Sequence, residues 1–136
     1  DVRISAFSAT EGQSGASEIT VMPPRRWTVS KPVAPGLTAS VTLGAPHGSR
    51  VNGTARIEVR GSGLENVELL PASGYTPRLG QFQISSDKTF AWLDFDTKSL
   101  PNGLHELRVS AFNVPAGQPG AVEAIAMPVR QWDVRN

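Results

Sequence analysis

The chain has 136 residues, 39% hydrophobic and 18% charged, which is typical of a globular protein large enough to bury a core. Its 13 basic and 12 acidic side chains leave a net charge of +1, so no strong field directs it to nucleic acid or an anionic membrane. Cysteine is absent, which excludes disulfides and thiolate chemistry. No apolar run reaches the roughly 18 residues of a membrane helix, so we expect no membrane insertion.

Short segments of alternating apolar and polar residues follow one another along the chain, as in Arg56–Arg60, and this pattern is typical of half-buried β-strands. Turn residues separate the segments, and Pro46 and Gly48 are expected to interrupt one strand so that the chain can pass between sheets. The pattern therefore predicts an all-β antiparallel sandwich. The predicted strands are 2–8, 18–22, 26–29, 39–43, 56–60, 66–70, 81–85, 89–95, 107–111 and 123–127, the last continuing to 134.

The chain contains an internal repeat: residues 2–29 recur as 107–134, displaced by 105 positions without a gap. Of the 28 aligned positions, 14 are identical, whereas unrelated chains would share roughly one or two. A fixed period of this kind indicates tandem modules. We therefore predict that residues 1–30 are the C-terminal hairpin of a preceding module, 31–36 a Pro/Gly linker, and 37–136 a complete module.

The predicted N-terminal hairpin is expected to need a packing partner, because an isolated two-stranded hairpin is marginally stable in water. We expect Ile4, Phe7, Ile19 and Trp27 to form an apolar face on it. The hairpin is therefore predicted either to dock on the complete module or to pair with another molecule by strand exchange.

Few residues suggest catalysis. His47 and His105 have no neighbouring nucleophile signature, and His105 is expected to pack or hydrogen-bond beside a turn. Asp94 and Asp96 share one side of a strand, where paired carboxylates can serve glycosidases or Ca²⁺, but strand-end solvation and turn capping are favoured. Gly61–Gly63 is interpreted as a hairpin turn, not a phosphate cradle, because no helix follows. We predict no enzyme, no cofactor and no metal.

Two Arg–Trp pairs are candidate contact residues. Arg25 and Trp27, and again Arg130 and Trp132, lie two apart and are expected to share a strand face, where they could form cation–π pairs. In the favoured interpretation each tryptophan closes its sandwich core and the arginine covers its edge. The alternatives are an intermodule seam or a sugar-stacking platform.

A second candidate contact is the loop 71–80, which is long for a sandwich of this kind. It carries Tyr75, the single tyrosine of the chain, together with Arg78. Loops at the ends of sandwiches often bind ligands, so these two side chains are candidate ligand contacts, although ordinary loop packing is favoured.

Several segments resemble the bacterial immunoglobulin-like repeat. Residues 45–53 carry its Pro, Gly, Val and Gly positions, and 55–60 and 67–69 resemble its next two strands. Residues 95–111 follow its aromatic-Asp-Thr and Leu-x-Asn-Gly-x-His-x-Leu-x-Val-x-Ala signatures. The resemblance covers 40–134 and, through the repeat, 2–29. At Phe112-Asn113 the acidic residue of many such repeats is missing, so a calcium role is not carried over.

The resemblance implies an immunoglobulin-like sandwich that acts as a non-catalytic spacer, stalk or protein-contact module. Its place would be in a larger secreted or surface-exposed bacterial protein, with neighbouring modules as partners. Two alternatives stay open: a carbohydrate-binding accessory module of a polysaccharide-degrading enzyme, and a filament or adhesin subunit that self-associates by strand exchange. The first predicts a coplanar set of exposed aromatic rings that includes Tyr75 or a tryptophan.

Overall fold

A computed structural model describes residues 2–7, 18–25 and 36–136, with side chains from residue 36 onward. The chain divides into two compact units, Asp1–Lys31 and Pro32–Asn136. In the first unit, strand β1 (Val2–Phe7) pairs antiparallel with strand β2 (Glu18–Arg25). The predicted strand 26–29 and nearly all of the predicted linker 31–36 lie outside the described residues.

The second unit is built from two facing sheets, which confirms the all-β sandwich expected from the alternation of the sequence. One sheet has the strand order β3-β5-β9-β8 and the other β4-β11-β10-β6-β7. All pairings are antiparallel except that of β4 with β11. The strands are β3 (Thr38–Leu43), β4 (Ser49–Val51), β5 (Thr54–Ser62), β6 (Asn66–Pro71), β7 (Gly80–Gln81), β8 (Gln83–Ile84), β9 (Phe90–Asp96), β10 (Gly103–Phe112) and β11 (Glu123–Val134).

The core lies between the sheets and consists of the inward-facing residues of each strand. Ile57 and Val59 on β5 are fully buried, as their alternation with charged neighbours predicts. They meet residues of the opposite sheet, among them Leu107 and Val109 on β10. Trp132 on β11 is the largest fully buried side chain, and its indole N–H donates to the Ala45 carbonyl at 3.2 Å.

The chain changes sheets between β3 and β4, as Pro46 and Gly48 predict. Strand β3 pairs with β5 in one sheet, whereas β4 pairs with β11 in the other. Gly48 has φ +78°, a backbone conformation that favours glycine, and its N–H donates to the Gln131 carbonyl at 2.7 Å. The interruption therefore allows one chain segment to form an edge strand of each sheet.

Two local predictions were wrong. The predicted strand 81–85 is two short strands, β7 and β8, in different sheets. Phe82 between them is buried, and its N–H bonds the carbonyl of Val67, so the chain turns at this residue from one sheet to the other. Gly61–Gly63 is not a hairpin turn, because it leads from β5 in one sheet to β6 in the opposite sheet.

The sandwich begins and ends at opposite poles. Strand β3 begins at Thr38, opposite Ser62 at the end of β5, and we call this end the N-terminal pole. Strand β11 ends at Val134, opposite Gly103, at the end where β5 begins; we call it the C-terminal pole. Because the nine residues of β5 span eight rises along the strand, the poles are about 27 Å apart.

The two hairpins of the repeat have the same strand register. Every residue pair of β1 and β2 corresponds, 105 positions later, to a pair of β10 and β11. The irregularities also coincide, since both hairpins shift register at the equivalents of Leu107/Val109 and Val109/Ser110. The corresponding pairs are Val2↔Arg25 and Leu107↔Arg130, Ile4↔Met22 and Val109↔Met127, Ser5↔Thr20 and Ser110↔Ile125, Ala6↔Ile19 and Ala111↔Ala124, and Phe7↔Glu18 and Phe112↔Glu123.

Gly61 provides a test of the β3–β5 contact. A Cβ atom at this position would lie 1.9 Å from the backbone oxygen of Thr38, so Gly61→Ala must displace β3. We expect a loss of about 1–3 kcal/mol in the free energy of unfolding, measured by chemical denaturation. Gly44→Ala is the control, because its Cβ would meet side-chain carbons at 3.4 Å or more. Equal stability of the two variants would contradict the close approach.

Candidate functional site

A buried arginine lies on the outer face of the five-stranded sheet. Arg108 and Ser110 on β10 alternate with the core residues Leu107 and Val109, so their side chains point away from the core. Nevertheless Arg108 is only 9% exposed and Ser110 is fully buried. The loop after β6 covers them, because the Arg108 guanidinium donates to the carbonyl of Gly74 at 2.7 Å.

Glu123 at the start of β11 compensates this buried charge. One of its carboxylate oxygens accepts hydrogen bonds from Arg108 Nη1 at 2.7 Å and from Ser110 Oγ at 2.6 Å. Its other oxygen accepts a bond from the hydroxyl of Tyr75 at 2.7 Å. The Tyr75 ring also covers the guanidinium, with 4.9 Å between Cζ and the ring centroid. We call Tyr75, Arg108, Ser110 and Glu123 the outer lock.

The contacts of the outer lock shift two pKa values in opposite directions. Burial raises the pKa of Glu123, but hydrogen bonds from Ser110, Tyr75 and Arg108 and the charge of Arg108 outweigh it, so the net shift is downward. The hydrogen bond to Glu123 and, secondarily, burial raise the pKa of Tyr75. Near neutral pH, therefore, the carboxylate is ionised and the phenol keeps its proton.

Tyr75 and Arg78, the candidate ligand contacts of the loop 71–80, both make intramolecular bonds. Arg78 Nη1 pairs with Glu68 Oε1 at 3.1 Å. Tyr75 retains 52% exposure, but its ring is tilted by 53° from that of Phe112 at a centroid distance of 6.4 Å. These two rings therefore do not form a coplanar platform.

The side chains of Arg130 and Trp132 share one carbonyl acceptor. Both side chains donate to the Ala45 oxygen, at 3.1 Å for Arg130 and 3.2 Å for the indole. Trp132 has no exposed surface, so it offers no ring face to a ligand. The structure thus places Trp132 at the end of the core, as the favoured interpretation expects. Within residues 36–136 the cation–π contacts are made by other arginines.

Among the candidate residues near the N-terminus, Trp27 lies outside the described residues. Ile4 and Phe7 lie in β1, and Ile19 and Arg25 in β2, where the backbone pairing is described but the side chains are not. Their predicted roles in an apolar face and in contacts therefore stay predictions.

A second outward-facing cluster, not predicted from the sequence, lies on the four-stranded sheet. The rings of Phe90 and Trp92 on β9 are stacked, with centroids 5.6 Å apart and planes 21° apart. Arginine side chains flank the stack, Arg56 over Trp92 at 5.9 Å and Arg60 over Phe90 at 4.8 Å. Alternation on β5 and β9 places all four residues on one face, and this period-two signal was available in the sequence.

The remaining candidate side chains serve the turns. His105 Nε2 bonds the carbonyl of Pro101 at 2.7 Å, as expected for a residue beside a turn, and His47 Nδ1 accepts from the Gln131 amide at 3.1 Å. Asp94 pairs with Arg56 at 2.7 Å. Asp96 caps the 3-10 helix Thr97–Ser99 by accepting from the Lys98 amide at 3.0 Å, which agrees with the predicted capping role.

The described ranges, 2–7, 18–25 and 36–136, contain no group of three or more His, Asp or Glu side chains placed to hold a metal ion. They also contain no helix of the length and apolarity that a membrane span requires.

Comparison with known proteins gave limited similarity. No family model matches the chain, and no curated protein matches it. Among solved structures, the chain is similar to an endo-beta-1,4-mannanase from Thermotoga petrophila, with 16% sequence identity and a TM-score of 0.47. The match covers 76% of this chain but 21% of the mannanase chain.

The outer lock predicts a stability that depends on Glu123. Glu123→Gln leaves the buried Arg108 without its counter-charge, and removing one partner of a buried pair costs about 3–5 kcal/mol. Because the folded-state pKa of Glu123 is lowered, its contribution is present above the unfolded-state pKa and is lost as the pH falls through the folded-state pKa. The stability gap between wild type and variant should therefore narrow in acid.

Denaturation at several pH values measures this gap. Asp94→Asn is the matched control: it removes the same charge from an ion pair in which the Asp94 side chain is 57% exposed, and we expect a change within about 0.5 kcal/mol. A Glu123→Gln variant as stable as Asp94→Asn at neutral pH would contradict the role of the outer lock.

Proposed function

We propose that the chain is a non-catalytic immunoglobulin-like module that serves as a spacer or stalk in a larger secreted or surface-exposed bacterial protein. The observation that carries the proposal is the position of the sandwich ends. Thr38 lies at the N-terminal pole and Val134 at the C-terminal pole, about 27 Å apart. Modules joined pole to pole extend a protein, whereas modules whose ends lie together do not.

At both poles the chain is hydrogen-bonded to the rest of the sandwich. At the N-terminal pole Leu37 is buried, and the hydroxyl of Ser62 donates to the carbonyl of Gly36. At the C-terminal pole the Asn136 side chain donates to the carbonyls of Thr97 and Leu100, at 3.0 and 3.3 Å. The backbone is thus held where it enters and where it leaves, which favours a defined direction for a neighbouring module.

The Asn136 contacts continue into the turn before β10. Its Oδ1 accepts from the Thr97 hydroxyl at 2.7 Å, and its backbone N–H donates to Asn102 Oδ1 at 2.8 Å. The Asn102 amide in turn donates to the Asn136 carbonyl at 3.4 Å. This network ties the end of the chain segment after β11 to the corner between β9 and β10.

The immunoglobulin-like part of the proposal is supported by the strand order. In that fold, one sheet has its strands in the order first, second, fifth and fourth, and the facing sheet contains the third, sixth and seventh. Here β3-β5-β9-β8 faces β6-β10-β11, when the short edge strands β4 and β7 are left out of the count. His105 also bonds back to the carbonyl of Pro101 at the β9–β10 corner. A tyrosine makes a comparable bond at the same corner of many such domains.

The non-catalytic part is supported by how the polar side chains are used. Glu123 is bound by Arg108, Ser110 and Tyr75, and Glu68 by Arg78 and Asn66. A general base must reach a substrate proton, and these carboxylates already accept from neighbouring side chains. The arrangement stabilises the surface of the sheet.

Single-molecule pulling tests the spacer role. In the full chain, attachment through Thr38→Cys and Arg135→Cys applies force along the strands, so the hydrogen bonds of β3–β5 and β4–β11 are sheared together. The absence of native cysteine makes these attachment points unique. We expect a high unfolding force in this geometry.

The control applies force at one pole only. Attachment through Leu104→Cys and Arg135→Cys pulls β10 and β11 apart at neighbouring ends, so their bonds break one after another. We expect a clearly lower unfolding force. An equal or lower force in the pole-to-pole geometry would contradict the role of a spacer that resists stretching.

A further inference from the structure

We propose that Asn52 is a site of spontaneous deamidation and that the fold protects Asn102 from the same reaction. The chain contains two Asn-Gly sequences, Asn52-Gly53 between β4 and β5 and Asn102-Gly103 at the start of β10. Asparagine followed by glycine is especially prone to deamidation, because glycine has no side chain to hinder attack by its own backbone nitrogen. The two sites share this sequence, so any difference between them must come from the fold.

The reaction needs no catalyst and no partner other than water. The backbone nitrogen of Gly53 attacks Cγ of the Asn52 side chain. A C–N bond forms, the bond from Cγ to Nδ2 breaks, and ammonia leaves with the proton of the Gly53 amide, which gives a succinimide ring. Water then opens the ring at either carbonyl carbon, to aspartate or to isoaspartate. The net change consumes water, releases ammonia and converts a neutral amide into a carboxylate.

Asn102 is exposed but restrained by hydrogen bonds. Its Oδ1 accepts from the backbone N–H of Asn136 at 2.8 Å, and its Nδ2 donates to the Asn136 carbonyl at 3.4 Å. Gly103 is also the first residue of β10, where it pairs with Val134. Attack by the Gly103 nitrogen therefore requires that the Asn102 side chain first leave both of its partners.

Asn52 is equally exposed but lacks these restraints. The chain has five asparagines, and Asn52 is the one whose side chain makes no hydrogen bond within the part of the chain that the structure describes. Gly53 belongs to neither β4 nor β5. A Cβ atom placed on Gly53 or on Gly103 would meet no heavy atom within 4 Å, so the two sites do not differ in crowding. The Asn52 amide can thus turn toward the Gly53 nitrogen without losing a hydrogen bond.

The isoaspartate product would disturb the C-terminal pole. Its chain runs through the side-chain carbon, so the backbone between residues 52 and 53 becomes one carbon longer. The Gly53 carbonyl accepts from the backbone N–H of Thr97 at 2.8 Å, and Thr97 is fully buried. The Asn136 side chain in turn donates to the Thr97 carbonyl. A displaced Gly53 therefore loosens the corner at which the chain leaves the sandwich after β11.

Incubation of the full chain in mildly alkaline buffer, with and without denaturant, tests the proposal. Peptide mass spectrometry locates each deamidated residue, and a methyltransferase specific for isoaspartate identifies the product. In denaturant we expect Asn52 and Asn102 to react at similar rates. In the folded chain we expect Asn52 to keep this rate and Asn102 to react at least about tenfold more slowly, because two hydrogen bonds must break first. Equal rates at the two sites of the folded chain, or protection of Asn52, overturn the proposal.

Deletion of Asn136 is the control for the protection of Asn102, because it removes both partners of that side chain. We expect the rate at Asn102 to rise toward its value in denaturant while the rate at Asn52 stays the same. An unchanged rate at Asn102 in the folded deletion variant would contradict protection by these bonds.

Asn52→Asp is the control for the effect on the pole, because it carries the new charge on an ordinary backbone. We expect the isoaspartate form, isolated by chromatography, to unfold at a lower denaturant concentration than Asn52→Asp, and the variant to unfold like the wild type. Equal unfolding midpoints for the isoaspartate form and Asn52→Asp would contradict the coupling of Gly53 to Thr97.

Discussion

Strand β11 is the element on which the sandwich depends, because it contacts the core, the crossover between the sheets and the cluster beneath the surface loop. It bonds antiparallel to β10 along most of its length and parallel to β4 at its end. Its inward side chain Trp132 fills the core and fixes the Ala45 carbonyl, and so holds the segment that links β3 to β4. Its first residue, Glu123, holds the opposite, outward face through the buried charge of Arg108. One strand therefore secures the core, the crossover between sheets and the surface loop.

Outward-facing arginines on the two outer faces of the sandwich are compensated by different contacts. An outward arginine on a strand must either remain in water or find a counter-charge. On the five-stranded sheet, Arg108 is covered by a loop and compensated by Glu123. On the four-stranded sheet, Arg56 stays partly exposed, between Asp94 and Trp92. Removal of one partner from the buried pair is costly because it leaves an uncompensated buried charge, whereas an exposed pair contributes little.

The sequence predicts most strands and the change of sheet at Pro46 and Gly48, because period-two alternation and turn residues are local signals. It does not predict that Phe82 splits a strand, since the reason is the distant core into which that ring turns. It also does not predict the outer lock. Arg108 and Ser110 look like solvent-facing positions, and only the fold of the loop carrying Gly74 and Tyr75 buries them. Contacts between segments far apart in sequence carry no periodic signal.

Comparison of the two hairpins separates what the fold requires from what it tolerates. Several repeated residues have counterparts that touch the rest of the sandwich, such as Trp132, Arg108 and Glu123. Exposed positions are mixed: Ile125 and Val129 are 49% and 46% exposed and differ from their counterparts Thr20 and Pro24. Exposed Gln118 and Pro128, in contrast, are identical to Gln13 and Pro23. The 105-residue repeat thus retains the residues of these polar contacts together with part of the exposed surface.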